Sequence, residues 1–443
     1  MLPLKSRFPF PKVNGEARKK ERGNGACRLG RLRKTNPMNS FFAELGRTVL
    51  ARWKAQNFSL ARFPEIAQGV LEERPPAKNV DLSPLVKEFL LNDEQPFQTQ
   101  SGFGQPELVV HDDPRFYIQI LFWLEGTTDI HQHKFSGAFH VLEGSSIHSR
   151  FDFENAESVS AHLRVGHLRM KDTRLLETGS TVPIVSGGGY IHSLFHLDTP
   201  SLSVVIRTHT DPGTGPQFTY LPPHLAVDPF YHDALTNRRK QLLDVLEKTE
   251  DPTYPALVLE MIEDLDFERG FFILQNGMGY LRTLDRWEET LHTFQQKHGR
   301  LAGFVAPTLD EIIRRDTLAE LRGSIAEVEH RFFLALLLNV PHRDDILSLV
   351  AQRFPGPPVD TILRWVEELG VTSDSGTWIL DAEFPEELAI PMEKQSEVFL
   401  ATLRHCLEDR PAAVLFPTLS LSAIDTQRLR DTLTRSSLKA LVS

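Results

Sequence analysis

Two histidines separated by one residue, His131 and His133, have a spacing that could support metal chemistry. On a strand, residues i and i+2 point to the same face about 6.6 Å apart, close enough to chelate one ion. The pair follows an aromatic, branched run at 116–123 and a Gly-Thr-Thr-Asp turn, and it precedes a β-rich run ending at Gly144. The alternative is a pair of exposed polar residues, which this context disfavours.

A third imidazole is expected on a strand that returns across the same β structure. His192 follows Pro183 and the glycine-rich turn at 187–189. His196 lies on the same strand face as His192, so it could replace or assist that ligand. Alternatively, His196 is a polar residue at the open end of this β structure, with no ligand role.

The ligand types limit the chemistry. Cys27 and Cys406 are far apart and form no CxxC pair, so histidines and carboxylates must hold any metal. Neutral imidazoles suit iron, copper, zinc and nickel alike, and three protein ligands leave positions open for substrate and O₂ or water. Because three neutral ligands leave the double charge of the ion uncompensated, an anionic thiolate or enolate would be stabilised there.

Further side chains near this pattern could handle substrate or protons. Arg207 shares a strand face with His209, and an arginine there could bind a substrate carboxylate bidentately. An ion pair between Arg207 and an acidic residue on the protein surface is an equally good interpretation. His209 or Tyr190 could relay a proton, although Tyr190 also suits a place in the barrel wall. Four other histidines are expected to be exposed or singly hydrogen-bonded: His140, His148, His162 and His167.

The whole chain predicts several domains. At 443 residues it is too long for one compact core. Helical periodicity marks a segment at 39–105, β-rich runs broken by Gly, Asp and Pro fill 106–222, and helical periodicity returns over 224–443. Within the last region, 344–369 could form a helix-turn-helix unit, but ordinary helical packing is favoured because no basic face accompanies it. The predicted fold class is multidomain β plus α, with a β-barrel followed by an all-α C-terminal domain.

Charge is distributed unevenly along the chain. Residues 1–40 hold eleven Lys and Arg against two Glu, so they carry +9 of a net charge of −10 and leave −19 for the rest. The acidic body argues against nucleic-acid binding. The basic stretch 1–38 has too little apolar content to fold and is interpreted as a disordered extension, with a nucleic-acid or targeting tail as the alternative. No apolar run approaches a membrane span, and a cytoplasmic location is expected.

The segments 116–133 and 190–209, FYIQILFWLEGTTDIHQH and YIHSLFHLDTPSLSVVIRTH, resemble the cupin superfamily, and within it the thiol dioxygenases related to cysteine dioxygenase. The similarity covers roughly 106–210. It implies a cupin barrel, a double-stranded β-helix, in which His131, His133 and His192 hold Fe(II). Many metal cupins add a glutamate shortly after the HxH pair, but positions 136–138 are Ser-Gly-Ala here, as in thiol dioxygenases.

Departures from that family argue against L-cysteine as the substrate. The neighbourhood in which the family has a carboxylate-binding arginine reads Gln105-Pro106-Glu107. The family's cross-linking cysteine falls at Ala138 and its catalytic tyrosine at His209.

The leading hypothesis is therefore a mononuclear non-haem Fe(II) dioxygenase that acts with O₂ on a small organic substrate bearing a thiol or carboxylate. One alternative is a zinc or manganese isomerase or hydrolase on the same ligands, and nickel is also compatible. Another is a non-enzymatic, metal- or ligand-sensing cupin that signals through 224–443 to a protein partner. A further hypothesis is that two copies of the chain associate through the edges of the barrel as a homodimer.

Overall fold

The computed structural model describes residues 37–93, 95–99, 103–126, 129–371, 388, 390, 392–409 and 423–443. The predicted extension at 1–38 lies almost wholly outside the described residues. No helix in the described part of the chain is long and apolar enough to cross a membrane.

Eleven strands occupy the middle of the chain. They are β1 (Glu107–Asp113), β2 (Phe116–Trp123), β3 (Ile130–His131), β4 (Gly137–Glu143), β5 (Ser145–Ser158), β6 (Leu163–Glu177), β7 (Thr181–Ile184), β8 (Ile191–His196), β9 (Ser201–Thr208), β10 (Thr219–Leu221) and β11 (Leu225–Val227).

Helices precede and follow the strand region along the chain. Before them lie α1 (Pro37–Ala55), α2 (Phe63–Glu73), α3 (Pro76–Asn79) and α4 (Leu82–Leu91). After them lie α5 (Ala234–Lys248), α6 (Tyr254–Asp264), α7 (Phe267–Thr283), α8 (Trp287–His298), α9 (Val305–Ser324), α10 (Val328–Asn339), α11 (Arg343–Arg353), α12 (Pro358–Val371), α13 (Met392–Glu408) and α14 (Ala423–Arg435). Short 3₁₀ turns cover Leu60–Arg62, Gly299–Phe304 and Lys439–Leu441.

The strands form two sheets. A five-stranded sheet has the order β1-β2-β9-β4-β7, and a closed six-stranded barrel has the order β10-β11-β6-β5-β8-β3. The paired strands run antiparallel. Strand structure runs to Val227, five residues beyond the expected boundary at 222, because β10 and β11 close the barrel against β3 and β6. The division into domains itself stays a prediction.

The N-terminal helices cover the outer face of the five-stranded sheet. On α1, Leu45, Val49 and Trp53 recur every four residues and are buried, as the periodicity predicts. Each fully buried side chain of this size contributes on the order of 1.5–3 kcal/mol. They pack in one cluster with Ile118 and Ile120 of β2, so this face of the sheet is closed to solvent.

Gly144 changes the direction of the chain between sheets. Gly144-Ser145 stands between two β-rich runs, a pattern that predicts a tight hairpin. That prediction is wrong, because β4 pairs with β7 and β9 whereas β5 pairs with β6 and β8. Gly144 adopts φ +88°, and a Cβ there would lie 3.1 Å from the Cβ of Ser201. The turn therefore carries the chain from the five-stranded sheet into the barrel.

The C-terminal helices pack in two groups against the barrel. Helices α5 to α9 share a core with Leu163, Val165 and Leu225. Helices α9 to α14 form a second core that includes Ile147 and Phe195 of the barrel strands. Helices α11 and α12 contribute buried side chains to this second core, which agrees with ordinary packing for 344–369.

A buried imidazole joins the N-terminal helices to the five-stranded sheet. His140 of β4 lies with Nδ1 2.8 Å from Oγ1 of Thr181, and its Nε2 accepts a hydrogen bond from the Ala77 amide at 3.4 Å. Burial lowers the pKa of His140 to about 4, against a weaker opposing effect of Glu72. The imidazole is therefore neutral in the folded protein at neutral pH.

This burial predicts a pH dependence of stability. An unfolded histidine titrates near 6.5, so between pH 6.5 and 4 the unfolded chain binds more protons at His140 than the folded chain does. The free energy of unfolding should fall as the pH drops through that window. Replacement by glutamine, His140→Gln, should give a shallower fall in denaturant melts, whereas the exposed control His292→Gln should follow the parent. Identical slopes for His140→Gln and the parent would contradict this interpretation.

Candidate metal centre

Strand pairing positions two of the three predicted ligands. His131 of β3 and His192 of β8 are direct partners in the antiparallel register. His133 follows two residues after His131 and forms a bridge to Ser186. Each of the three imidazoles offers one ring nitrogen, and these three atoms lie within 4.8 Å of one another. The structure thus brings together the three histidines that the sequence analysis proposes as ligands.

The closest pair of ring nitrogens has the spacing expected of two ligands on one divalent metal. Nε2 of His133 and Nε2 of His192 are 2.8 Å apart. With metal–nitrogen bonds of about 2.1 Å, two ligands at right angles would lie about 3 Å apart. Nδ1 of His131 is 3.3 Å from the carbonyl oxygen of Asp129, whereas its Nε2 is buried without a hydrogen-bond partner among the described residues. A metal would satisfy this nitrogen and would take the place of the hydrogen bond between the other two.

The electrostatics favour neutral, ligating imidazoles. Burial holds the pKa values of His133 and His192 well below the usual range, and the neighbouring His131 lowers both further. The guanidinium of Arg207 also lowers the pKa of His133. Because metals bind the deprotonated ring nitrogen, a low pKa removes competition from protons at neutral pH.

His148 was missed as a member of the site. It is fully buried on β5, and its Nε2 lies 3.2 Å from Nδ1 of His192. When Nε2 of His192 binds a metal, its Nδ1–H can donate to His148, which fixes the ring orientation. The hydroxyl of Tyr190 lies 3.3 Å from Nε2 of His148. The sequence signal was the alternation of polar Ser146, His148 and Arg150 along β5, which indicates one face but no partner.

A small cavity of about 50 Å³ adjoins the three histidines, between the two sheets. Its walls are mostly aromatic and aliphatic: Phe103, Leu121, Trp123, Phe135, Phe139, Ile184, Leu194 and Val205. Two polar atoms in this lining, Oε1 of Gln119 and Nε1 of Trp123, are buried without a hydrogen-bond partner among the described residues. The cavity can therefore hold a small, mainly apolar group, with one acceptor and one donor of its walls left without a partner among the described residues.

His196 lines the cavity outside the ligand group. Its Nδ1 is 3.1 Å from Oγ of both Ser146 and Ser201, and its ring stacks on Trp123 with centroids 4.6 Å apart. Burial lowers the pKa of His196 to about 3. The geometry suits a neutral wall residue, and the substrate-binding role stays a prediction.

Arg207 and His209 lie at the rim of the β structure, outside the cavity lining. The guanidinium of Arg207 is 3.4 Å from the ring centroid of Phe135 and donates to the carbonyl oxygens of Thr208 and His209. No carboxylate lies within 4 Å of it in the described ranges, so the alternative of a surface ion pair finds no support. His209 is exposed, and its Nε2 is 3.2 Å from the carbonyl oxygen of Asp113.

The residues after the HxH pair bring no carboxylate to the metal. Ser136 donates through Oγ to Asp211 at 2.5 Å, and Asp211 also accepts from Oγ1 of Thr208. Ala138, the position compared with the cross-linking cysteine, packs in the core that contains α1 and α2. The adjacent Phe139 is the residue that lines the cavity. The structure therefore gives no support to Ala138 as the cavity-facing counterpart of that cysteine.

Comparisons with known proteins give only partial likenesses. No family model matches the chain, and no curated protein matches it. Among solved structures, KdgF from Halomonas sp. is 17% identical over 27% of this chain and 91% of its own, with a TM-score of 0.18. TT1209 from Thermus thermophilus is 18% identical over 25% of this chain and 89% of its own, with a TM-score of 0.17.

A third structure is the hydroquinone 1,2-dioxygenase PnpCD in complex with Cd²⁺ and 4-hydroxybenzonitrile. It is 14% identical over 24% of this chain and 64% of its own, with a TM-score of 0.18. These likenesses are too weak to carry an argument, so the account of the site rests on the strands and histidines of this chain.

Removal of one proposed ligand should abolish metal binding. We expect His133→Ala and His192→Ala to reduce the bound metal from about one ion per chain to near zero, because two imidazoles alone hold a divalent ion weakly. Elemental analysis after dialysis measures this. His162→Ala is the control, since His162 pairs with Asp228 away from the triad. Unchanged metal content in both ligand variants would exclude this site.

Loss of the hydrogen bond behind His192 should weaken metal binding without abolishing it. Replacement of His148 by phenylalanine preserves an aromatic ring but removes the acceptor, and we expect a 10–100-fold lower metal affinity in competition titrations. His148→Gln retains an acceptor and should recover part of the loss. Equal affinity in the parent and in His148→Phe would remove His148 from the site.

Proposed function

We propose that this chain is a mononuclear metal-dependent dioxygenase on a cupin-type barrel, with Fe(II) held by His131, His133 and His192. The observation that carries the proposal is the convergence of three neutral imidazoles on a cavity with apolar walls between two sheets. No carboxylate belongs to this cluster in the described part of the chain. A facial set of three neutral ligands leaves coordination positions and positive charge for an anionic substrate and O₂.

Bound iron(II) would supply the activation of O₂ at this site. The protein's contribution is to exclude water and to fix the ligands. Phe135 and Phe139 are almost fully buried beside the histidines, and such walls strengthen electrostatic interactions and limit side reactions. His148 fixes the ring of His192 from behind. We assign to Tyr190 a positioning role through His148, and we retain proton relay by Tyr190 or His209 as a hypothesis.

The cavity suggests the substrate class. Its lining contains no carboxylate and no guanidinium in the described ranges, so binding would depend on apolar contact and on Gln119 and Trp123. The cavity of about 50 Å³ is small compared with the roughly 300–1,000 Å³ of common ligand sites, which favours a small reactive group beside the metal. Phe103 is 40% exposed and lines the same cavity, which places it at the mouth. We infer a small, largely apolar substrate that presents a thiol or enol group to the metal.

This largely apolar substrate differs from the carboxylate-bearing substrate that the position of Arg207 in the sequence suggests. The guanidinium of Arg207 packs on Phe135, and Phe135 separates it from the cavity. An extended substrate whose carboxylate reaches the rim would still meet Arg207 there. The role of Arg207 in substrate binding therefore stays a prediction, secondary to Gln119 and Trp123.

Metal content combined with oxygen consumption tests the proposed function. The full-length protein, freed of metal and reloaded anaerobically with Fe(II), Zn(II) or Mn(II), is assayed with an oxygen electrode against a panel of small apolar thiols and enols. We expect substrate-dependent oxygen uptake only in the Fe(II) form, and at least a hundredfold loss in His133→Ala. His162→Ala should retain the parent rate.

Other outcomes would point to other functions. Purified protein that contains zinc or manganese and shows no oxygen uptake would favour an isomerase or hydrolase. Absence of turnover in every metal form, with a protein captured by the region 224–443, would favour a sensing protein. Either result would overturn the dioxygenase proposal while leaving the three-histidine site intact.

A further inference from the structure

A second, larger cavity of about 780 Å³ lies where the barrel meets the C-terminal helices. Residues 124–126, which follow β2, line one side together with Phe195 and 197–199 at the end of β8, and residues of α9, α10 and α11 line the other. The two cavities share strand β8. Leu194 and His196 face the metal cavity, whereas Phe195 and Leu197 face the larger one, as expected because side chains alternate along a strand.

Three arginines from three different helices line this cavity: Arg322 of α9, Arg331 of α10 and Arg353 of α11. Within the described residues, none of the three guanidinium groups lies within 4 Å of a carboxylate. Other arginines of the same helical region do form such pairs; Arg364, for example, contacts Glu329 at 2.7 Å. The three arginines outnumber the two acidic residues of the lining, Glu125 and Asp198, and no carboxylate in the described ranges neutralises a guanidinium by direct contact.

Neutral groups hold these guanidiniums in place. Arg322 donates through Nε to the carbonyl oxygen of Arg331 at 3.1 Å and lies over the ring of Phe195. Arg331 donates through Nη1 to the carbonyl oxygens of Arg322 and Ile325. The arginines are thus oriented before any ligand arrives, which reduces the entropy lost on binding.

Arg353 is anchored in the same way. Its Nη1 donates to Oγ of Ser145 at 3.1 Å, and its guanidinium lies 5.0 Å from the ring centroid of Phe332. Two acidic residues, Glu125 and Asp198, also line the cavity. Asp198 accepts a hydrogen bond from Ser145 at 2.6 Å, so its carboxylate is already engaged by a neutral donor.

The concentration of charge has an electrostatic cost. Burial, followed by the positive charge of Arg331, lowers the pKa of Arg322 to about 10, while Asp198 opposes the shift. A bound anion would offset this repulsion.

We propose that this junction cavity binds a small organic polyanion with two or more phosphate or carboxylate groups. Guanidinium groups match both oxyanions through paired N–H donors. Ligand sites commonly have volumes of about 300–1,000 Å³, and the volume of about 780 Å³ lies in that range. The site differs from the metal cavity, whose lining includes none of these arginines. The proposal does not depend on the dioxygenase assignment.

Isothermal titration of the full chain tests the proposal with inorganic pyrophosphate and citrate as separate probes. We expect about one equivalent of at least one probe to bind, and the stronger probe distinguishes a phosphate ligand from a carboxylate ligand. Arg353→Gln and Arg331→Gln should each weaken binding at least tenfold. Arg353→Lys, which keeps the charge but loses the paired donors, should fall between Arg353→Gln and the parent.

Controls separate this site from general charge effects and from the metal centre. Arg169→Gln removes an exposed arginine paired with Glu154 and should bind as the parent does. His133→Ala should also retain binding, since it alters only the metal site. Thermal melts verify folding, and Arg353 supplies a matched Gln and Lys pair at a half-buried position if Arg331→Gln unfolds. No binding of either probe at millimolar concentration, or equal binding in all arginine variants, would overturn the proposal.

Discussion

The antiparallel pairing of β3 with β8 is the constraint on which the candidate site depends. It places His131 directly opposite His192, although sixty residues of chain separate them. His133 then completes a cluster in which two ring nitrogens lie 2.8 Å apart. Burying imidazole nitrogens is costly unless they find partners, and the buried Nε2 of His131 has none among the described residues. A shared metal would supply the missing partner and would replace the contact between the other two nitrogens.

The five-stranded sheet packs against the N-terminal helices with one face and lines the metal cavity with the other, because side chains alternate along its strands. Along β2, Ile118 and Ile120 face the N-terminal helices, while Gln119, Leu121 and Trp123 face the metal cavity. The helices α1 and α2 therefore stabilise the site indirectly, because they bury the outer face of the strand that forms its wall. Loss of that packing would release the wall, not the ligands, which come from other strands.

Local geometry explains why the sequence predicts the proposed ligand pair, because alternation places His131 and His133 on one face. His192 is proposed as a residue of a returning strand, and its contact with His131 depends on the register of β3 against β8, which the sequence does not specify. His148 could not be predicted, since its contact with His192 depends on the register between β5 and β8. The hairpin at Gly144 failed for a related reason: a turn signal does not specify which sheet the next strand joins.

The second cavity could not be predicted from the sequence either, because its lining residues meet only through the packing of separate helices. This packing gives the C-terminal helices a physical role. Arg322, Arg331 and Arg353 lie on three different helices, and only Arg322 and Arg331 are close in sequence, nine residues apart, so the packing of α9, α10 and α11 brings the three together. Phe195 supplies the barrel side, and it belongs to the same core as those helices. The cavity can therefore exist only when the helices are docked on β8. Because β8 carries the proposed ligand His192 on its opposite face, the docked helices also pack against one wall of the candidate metal centre.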